Sequence, residues 1–145
     1  MKSILLLLLA SVSLNISAQQ NVLITSPDRN QKLLVTISPN GNVNYSLSYK
    51  NKAVIKPSAL SMKFSEPAVD LNTFSIVRID SSLHDETWET VWGEYSSIRD
   101  HHKELKLSLA DRNGSGILMN VNFRVFNEGL GFRYEFPQQD KLTHF

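Results

Sequence analysis

The side chains best equipped for chemistry crowd into one stretch. Between positions 84 and 104 stand six carboxylates (Asp85, Glu86, Glu89, Glu94, Asp100 and Glu104), three histidines (His84, His101 and His102), two cations (Arg99 and Lys103) and both tryptophans, Trp88 and Trp92. Three kinds of chemistry use such residues. Paired carboxylates cleave glycosidic bonds, and Glu86, Glu89 and Glu94 supply pairs. Imidazoles and carboxylates hold metal ions. Indole faces stack on sugar rings or dock on another domain, with Trp88, Trp92, Glu94, Arg99 and His101 as the candidates for substrate binding or docking.

Each reading has a plainer competitor. His101 and His102 are adjacent, so on a strand they point to opposite faces and do not grip one ion. His84, Asp85 and Glu86 lack an established ligand spacing, and a solvated acidic loop is the favoured reading over a metal site. No metal ligand is assigned. No serine sits in a nucleophile-elbow pattern and the chain has no cysteine, so nucleophilic catalysis finds no residue here. Packing predicts a structured loop over residues 88–102. Two indoles would pin it, with an ion pair from Arg99 to Glu94 or Asp100.

Elements able to position this stretch follow from alternation. Val43, Tyr45, Leu47 and Tyr49 repeat with period two, as do Leu33, Val35 and Ile37. Leu60, Met62 and Phe64 form another run, then Leu105, Leu107 and Leu109. Ile117 through Val125 is the longest, and Phe132, Tyr134 and Phe136 close the series. Phe74, Ile76, Val77 and Ile79 change phase, which predicts a bulge. Turn residues fall between the runs, at Pro39-Asn40-Gly41, Asn51-Lys52, residues 111–116 and Asn127-Glu128-Gly129. The spacing predicts an all-β fold, an antiparallel sandwich or barrel, and one apolar face on each of about eight strands favours the antiparallel β-sandwich in one domain. Tyr45, Phe64, Phe123 and Phe132 are expected in its core.

Residues 1–18, MKSILLLLLASVSLNISA, have a positive start, a short apolar run and small residues before Ala18. They read as a signal peptide, leaving 19–145 as the domain and a periplasmic or secreted location. Loss of Lys2 with that segment balances the charge at 14 basic and 14 acidic residues. Balance excludes a general nucleic-acid binder and, after signal cleavage, a membrane-surface binder.

Three blocks then carry a resemblance. "DETWETVWGEYSSIRDHHKEL", residues 85–105, is similar to a W-x-x-x-W-G-E segment followed by R-[DN]-x-x-x-E-L in the N-terminal domain of glycoside hydrolase family 97. Lys103 stands where that family usually has asparagine. "SPNGNVNYSLSYKNKAVIKPSALSMKF", residues 38–64, and "FRVFNEGLGFRYEFPQQ", residues 123–139, resemble two further segments of it. The resemblance implies the opening part of a galactose-mutarotase-like super-sandwich, incomplete here. It would pack on a catalytic (β/α)8 barrel that is absent from this chain and carries the catalytic carboxylates. It implies exported enzymes acting on α-glucosides or α-galactosides, with calcium in the complete enzyme. No catalytic residue transfers to these 145 positions, so the chain is expected to be inactive alone. A free-standing carbohydrate-binding or adhesion-like module is the alternative.

Overall fold

A computed structural model describes residues 19–66 and 68–142; the expected signal peptide lies outside them. The described residues contain ten strands and no helix. β1 (Gln20–Thr25), β2 (Gln31–Ile37), β3 (Val43–Tyr49) and β4 (Lys52–Leu60) form one antiparallel sheet in sequence order. β7 (Phe74–Glu89), β8 (Ser97–Asp111), β9 (Leu118–Phe126) and β10 (Leu130–Glu135) form a second, in the order β10-β9-β8-β7. β5 (Met62–Phe64) and β6 (Val69–Leu71) pair as a separate two-stranded piece.

Period-two rows of each sheet meet in the middle. Leu33, Val35 and Val43 of the first sheet, and Leu105, Leu107, Leu109, Met119, Val121, Phe123 and Val125 of the second, are essentially inaccessible to solvent. This is the antiparallel β-sandwich the alternation predicts. Burial of such rows is the main stabilising term, at roughly 25 cal/mol per Å² of apolar area. The turns fall where the turn residues stand. Pro39-Asn40-Gly41 joins β2 to β3, and Lys50 and Asn51 adopt positive φ between β3 and β4. The phase change in β7 is a register shift between Ile76 and Arg78.

Two expectations need correction. Leu60, Met62 and Phe64 do not share a strand: β4 ends at Leu60, and β5 pairs with β6 instead. Phe132 is not a core residue. It is 41% exposed, because β10 is the last strand of its sheet and its ring shields Phe123 and Tyr45 from outside at 5.5 and 5.3 Å.

β1 and β7 are both edge strands. Between them runs a groove of about 470 Å³ lined by Val22, Leu23, Ile24, Ile79 and Leu83, among others. Leu23 and Leu83 stay largely exposed there. Such an open edge offers unpaired backbone groups beside apolar side chains.

Candidate functional site

The chemistry-bearing stretch is a strand pair, which corrects the expected loop. Trp88 and Glu89 finish β7, residues 97–102 begin β8, and only residues 90–96 turn between them. The pairing is symmetric about Gly93: Glu89 faces Ser97, Thr87 faces Arg99, Asp85 faces His101 and His84 faces His102. The turn closes through Thr90 N to Ser96 O at 3.1 Å and through the Thr90 hydroxyl, which donates to the Tyr95 carbonyl.

Support from the first sheet ends early. Its edge strand β1 stops at Thr25, whose hydroxyl accepts a hydrogen bond from Lys103 Nζ at 3.3 Å. Leu83 is the register partner of Lys103. Six further residues of β7, from His84 to Glu89, therefore extend past the sandwich, roughly 20 Å at strand rise. With no second sheet packed on either side, neither face of this ribbon needs an apolar row, so its sequence loses the alternation seen elsewhere.

Each ribbon face is held by its own polar contacts. Directly opposed residues share a face. On the face that continues the Leu105–Leu107–Leu109 row, Arg99 clamps Asp85. Its Nε donates to Oδ1 and its Nη2 to Oδ2, both at 2.7 Å. His101 Nε2 lies 3.9 Å from the same carboxylate. Arg99 thus pairs with neither Glu94 nor Asp100, as expected from local sequence, but with a diagonal neighbour across the ribbon. The clamp holds the Asp85 carboxyl below the ordinary aspartate range, first through the hydrogen bond and then through the guanidinium charge.

On the other face, His102 is buried and stacks between two rings, with centroids 5.0 Å from His84 and 4.8 Å from Phe126 of β9. Its Nδ1 lies 2.5 Å from Asp100 Oδ1. His84 Nε2 sits 3.5 Å from Glu86 Oε2 and 3.7 Å from Asp100 Oδ2. His101 and His102 point to opposite faces, as alternation requires. Among the described residues no three histidine or carboxylate side chains form a group able to hold a metal ion.

The indoles do not pin the turn. Trp88 is 51% exposed and Trp92 is 89% exposed. With Val91, Tyr95 and Ile98 they line an open hollow of about 400 Å³ at the tip, which Glu94 also borders. Val91 and Tyr95, which composition alone did not single out, are part of this apolar cap. Asp85, the partner of Arg99 on the stem, was not singled out either. Folding the sequence about Gly93 is the signal that finds all three.

An acid titration checks the clamp. A depressed carboxylate contributes stability that is complete above the unfolded aspartate value, 3.8, and that is lost as pH falls through the lower folded value. Both tryptophans are at the tip, so their emission reports the ribbon. Their signal is expected to change as pH falls below about 4, and Asp85→Asn to abolish that step. At neutral pH, Arg99→Ala should speed amide exchange over residues 84–89 by about two- to fivefold, the range of exposed ion pairs. An unchanged exchange pattern would show that the clamp contributes nothing.

Comparison with known proteins gives one consistent result. The glycosyl-hydrolase 97 N-terminal family matches residues 24–145. The retaining alpha-galactosidase of Bacteroides thetaiotaomicron is 26% identical over 129 residues, 89% of this chain but 18% of that protein. A glycoside hydrolase family 97 enzyme from Pseudoalteromonas sp. strain K8, solved with acarbose, superposes with a TM-score of 0.75 and 33% identity over 82% of this chain and 18% of its own. A beta-arabinopyranosidase shares the fold at a TM-score of 0.74 and 24% identity, covering 83% of this chain and 19% of its own. The chain spans about a fifth of the length of each of these relatives.

Proposed function

Because the chain belongs to the glycosyl-hydrolase 97 N-terminal family, we propose that it is the non-catalytic β-sandwich portion of an exported α-glycoside hydrolase. The coverage of the relatives carries this reading. Residues 24–145 match the N-terminal family of enzymes several times longer, as the opening part of its sandwich, and the described residues, without a helix, supply no part of a (β/α)8 barrel. The domain packs on the catalytic domain of such an enzyme. α-Linked glucosides or galactosides are the substrates of the whole protein, in keeping with the name of the alpha-galactosidase relative. Residues 1–18 direct export to the periplasm or beyond. Calcium is a cofactor of the complete enzyme in this reading, and no ligand to it is assigned in this chain.

The test is an assay of the purified mature protein, residues 19–145, on nitrophenyl α-glucoside and α-galactoside with added calcium. Only background release is expected. Turnover that scales with protein concentration overturns the reading.

One observation favours a second reading, a carbohydrate-binding module. Trp88, Trp92 and Tyr95 present exposed rings at the ribbon tip, and exposed aromatic rings are what a sugar platform requires. Calorimetry with maltose or melibiose separates the two, because a docking domain gives no heat of binding.

A further inference from the structure

We propose that the ribbon tip is the docking element of this domain. Val91, Trp92 and Tyr95, flanked by Trp88 and Ile98, seat in an apolar hollow on the catalytic domain whose rim is basic. The proposal rests on the reading above, that the chain packs on such a domain, and names where and how it does so.

Three observations carry it. The first is the composition of the turn. A hairpin turn ordinarily consists of glycine and small polar residues, and turns meet water. Here Val91 is 99% exposed beside Trp92, and Trp88, Tyr95 and Ile98 add three more exposed side chains around them. Contiguous apolar surface of this kind marks a contact surface, and aromatic residues are the usual anchors of one.

The second is reach. The tip stands beyond the edge of the first sheet at the end of a ribbon braced on both faces, by Arg99 and Asp85 on one side and by the His84–His102–Phe126 stack on the other. A braced projection presents its cap at a fixed place and loses little freedom on binding.

The third is charge. Residues 84–104 hold six carboxylates against Arg99 and Lys103, a net charge of −4 with neutral histidines. Glu86, Glu89 and Glu94 have no cation paired with them among the described ion pairs, apart from His84 beside Glu86. A seat rimmed by lysine or arginine would complement them, steering approach and fixing orientation.

A protein seat suits the tip better than a sugar does. Val91, the most exposed of the cap, has a branched aliphatic side chain with no ring face and no hydrogen-bonding group. The Thr90 hydroxyl of the turn is already spent on the Tyr95 carbonyl. What the cap offers is mainly area to be dried.

Amide hydrogen exchange tests this on two proteins as they exist, the 145-residue chain and the full-length Pseudoalteromonas family 97 enzyme, with rates corrected for intrinsic sequence effects. The turn matching residues 90–96 is expected to exchange at least about tenfold more slowly in the full-length enzyme than in the isolated chain. If another face of the domain is slowed and the turn is not, the docking element lies elsewhere and the proposal fails, while the packing reading stands. If no face is slowed, the packing reading fails with it. If maltose or melibiose slows the turn in the isolated chain, the tip is a sugar platform and the proposal is overturned.

Discussion

Phe123→Ala should remove about 3–5 kcal/mol of stability, the range for deleting a buried aromatic ring. The size follows from position. Phe123 is fully buried in the middle of β9, opposite Leu105 on one side and Phe132 on the other. Its ring also meets Tyr45 of the facing sheet at 6.1 Å, so it spans the interior between the layers. Strands on both sides pin the backbone, which limits collapse into the cavity. A domain of this size holds about 5–15 kcal/mol in total, so a large part of the margin would go. The measurement is the urea midpoint. Phe123→Leu, which keeps most of the volume, should cost less than about 1.5 kcal/mol. Equal losses in the two variants would show that the ring is not the element joining the sheets.

Gly41→Ala should cost nearly as much, for a different reason. Gly41 has φ +87°, and a Cβ there would lie 2.8 Å from the Phe74 carbonyl oxygen and 2.8 Å from Arg112 Cδ. The Gly41 carbonyl accepts from Phe74 N at 2.7 Å, so this turn of the first sheet is fastened to the start of β7 in the second. The left-handed conformation costs an L-residue about 1–2 kcal/mol. Pushing the backbones apart adds about 1–3 kcal/mol of overpacking. Gly114 provides the control. Its φ is +85°, but nothing lies within 4 Å of its Cβ position. Gly114→Ala should therefore show the conformational part alone, and the difference in thermal midpoint between the two variants isolates the clash.

The sandwich was legible because burial leaves a period-two trace. Every strand with one row against the core, such as β2 or β8 below Lys103, writes that row into the sequence as Leu33-Val35-Ile37 or Leu105-Leu107-Leu109. Where no burial acts, the trace is gone. The ribbon past Leu83 has no second sheet packed on either face, so strand geometry there selects for cross-strand charge pairs rather than apolar alternation. Those pairs are visible only when the register is known. Arg99 shows it well: near neighbours in sequence pointed to Glu94 and Asp100, whereas the fold brings Asp85, fourteen residues away, within 2.7 Å. The tryptophans failed for a related reason. Large aromatics are buried on average, but residue type does not say whether a partner surface belongs to the same domain. Of the five site residues drawn from sequence, Trp88, Trp92 and Glu94 gather around the tip hollow, while Arg99 and His101 lie on the ribbon stem.

The stack of His84, His102 and Phe126 makes the ribbon a lever with a defined fulcrum. Phe126 ends β9, and His102 is the last residue of β8 paired to it. Below this point β8 has neighbours on both sides; above it, β7 is its only neighbour. Bending should therefore concentrate just above the three rings, and a push on the tip should be delivered to β9 before it reaches the first sheet. Amide exchange along β8 should step from fast to slow within a residue or two of His102, and His102→Ala should move that step toward Leu105.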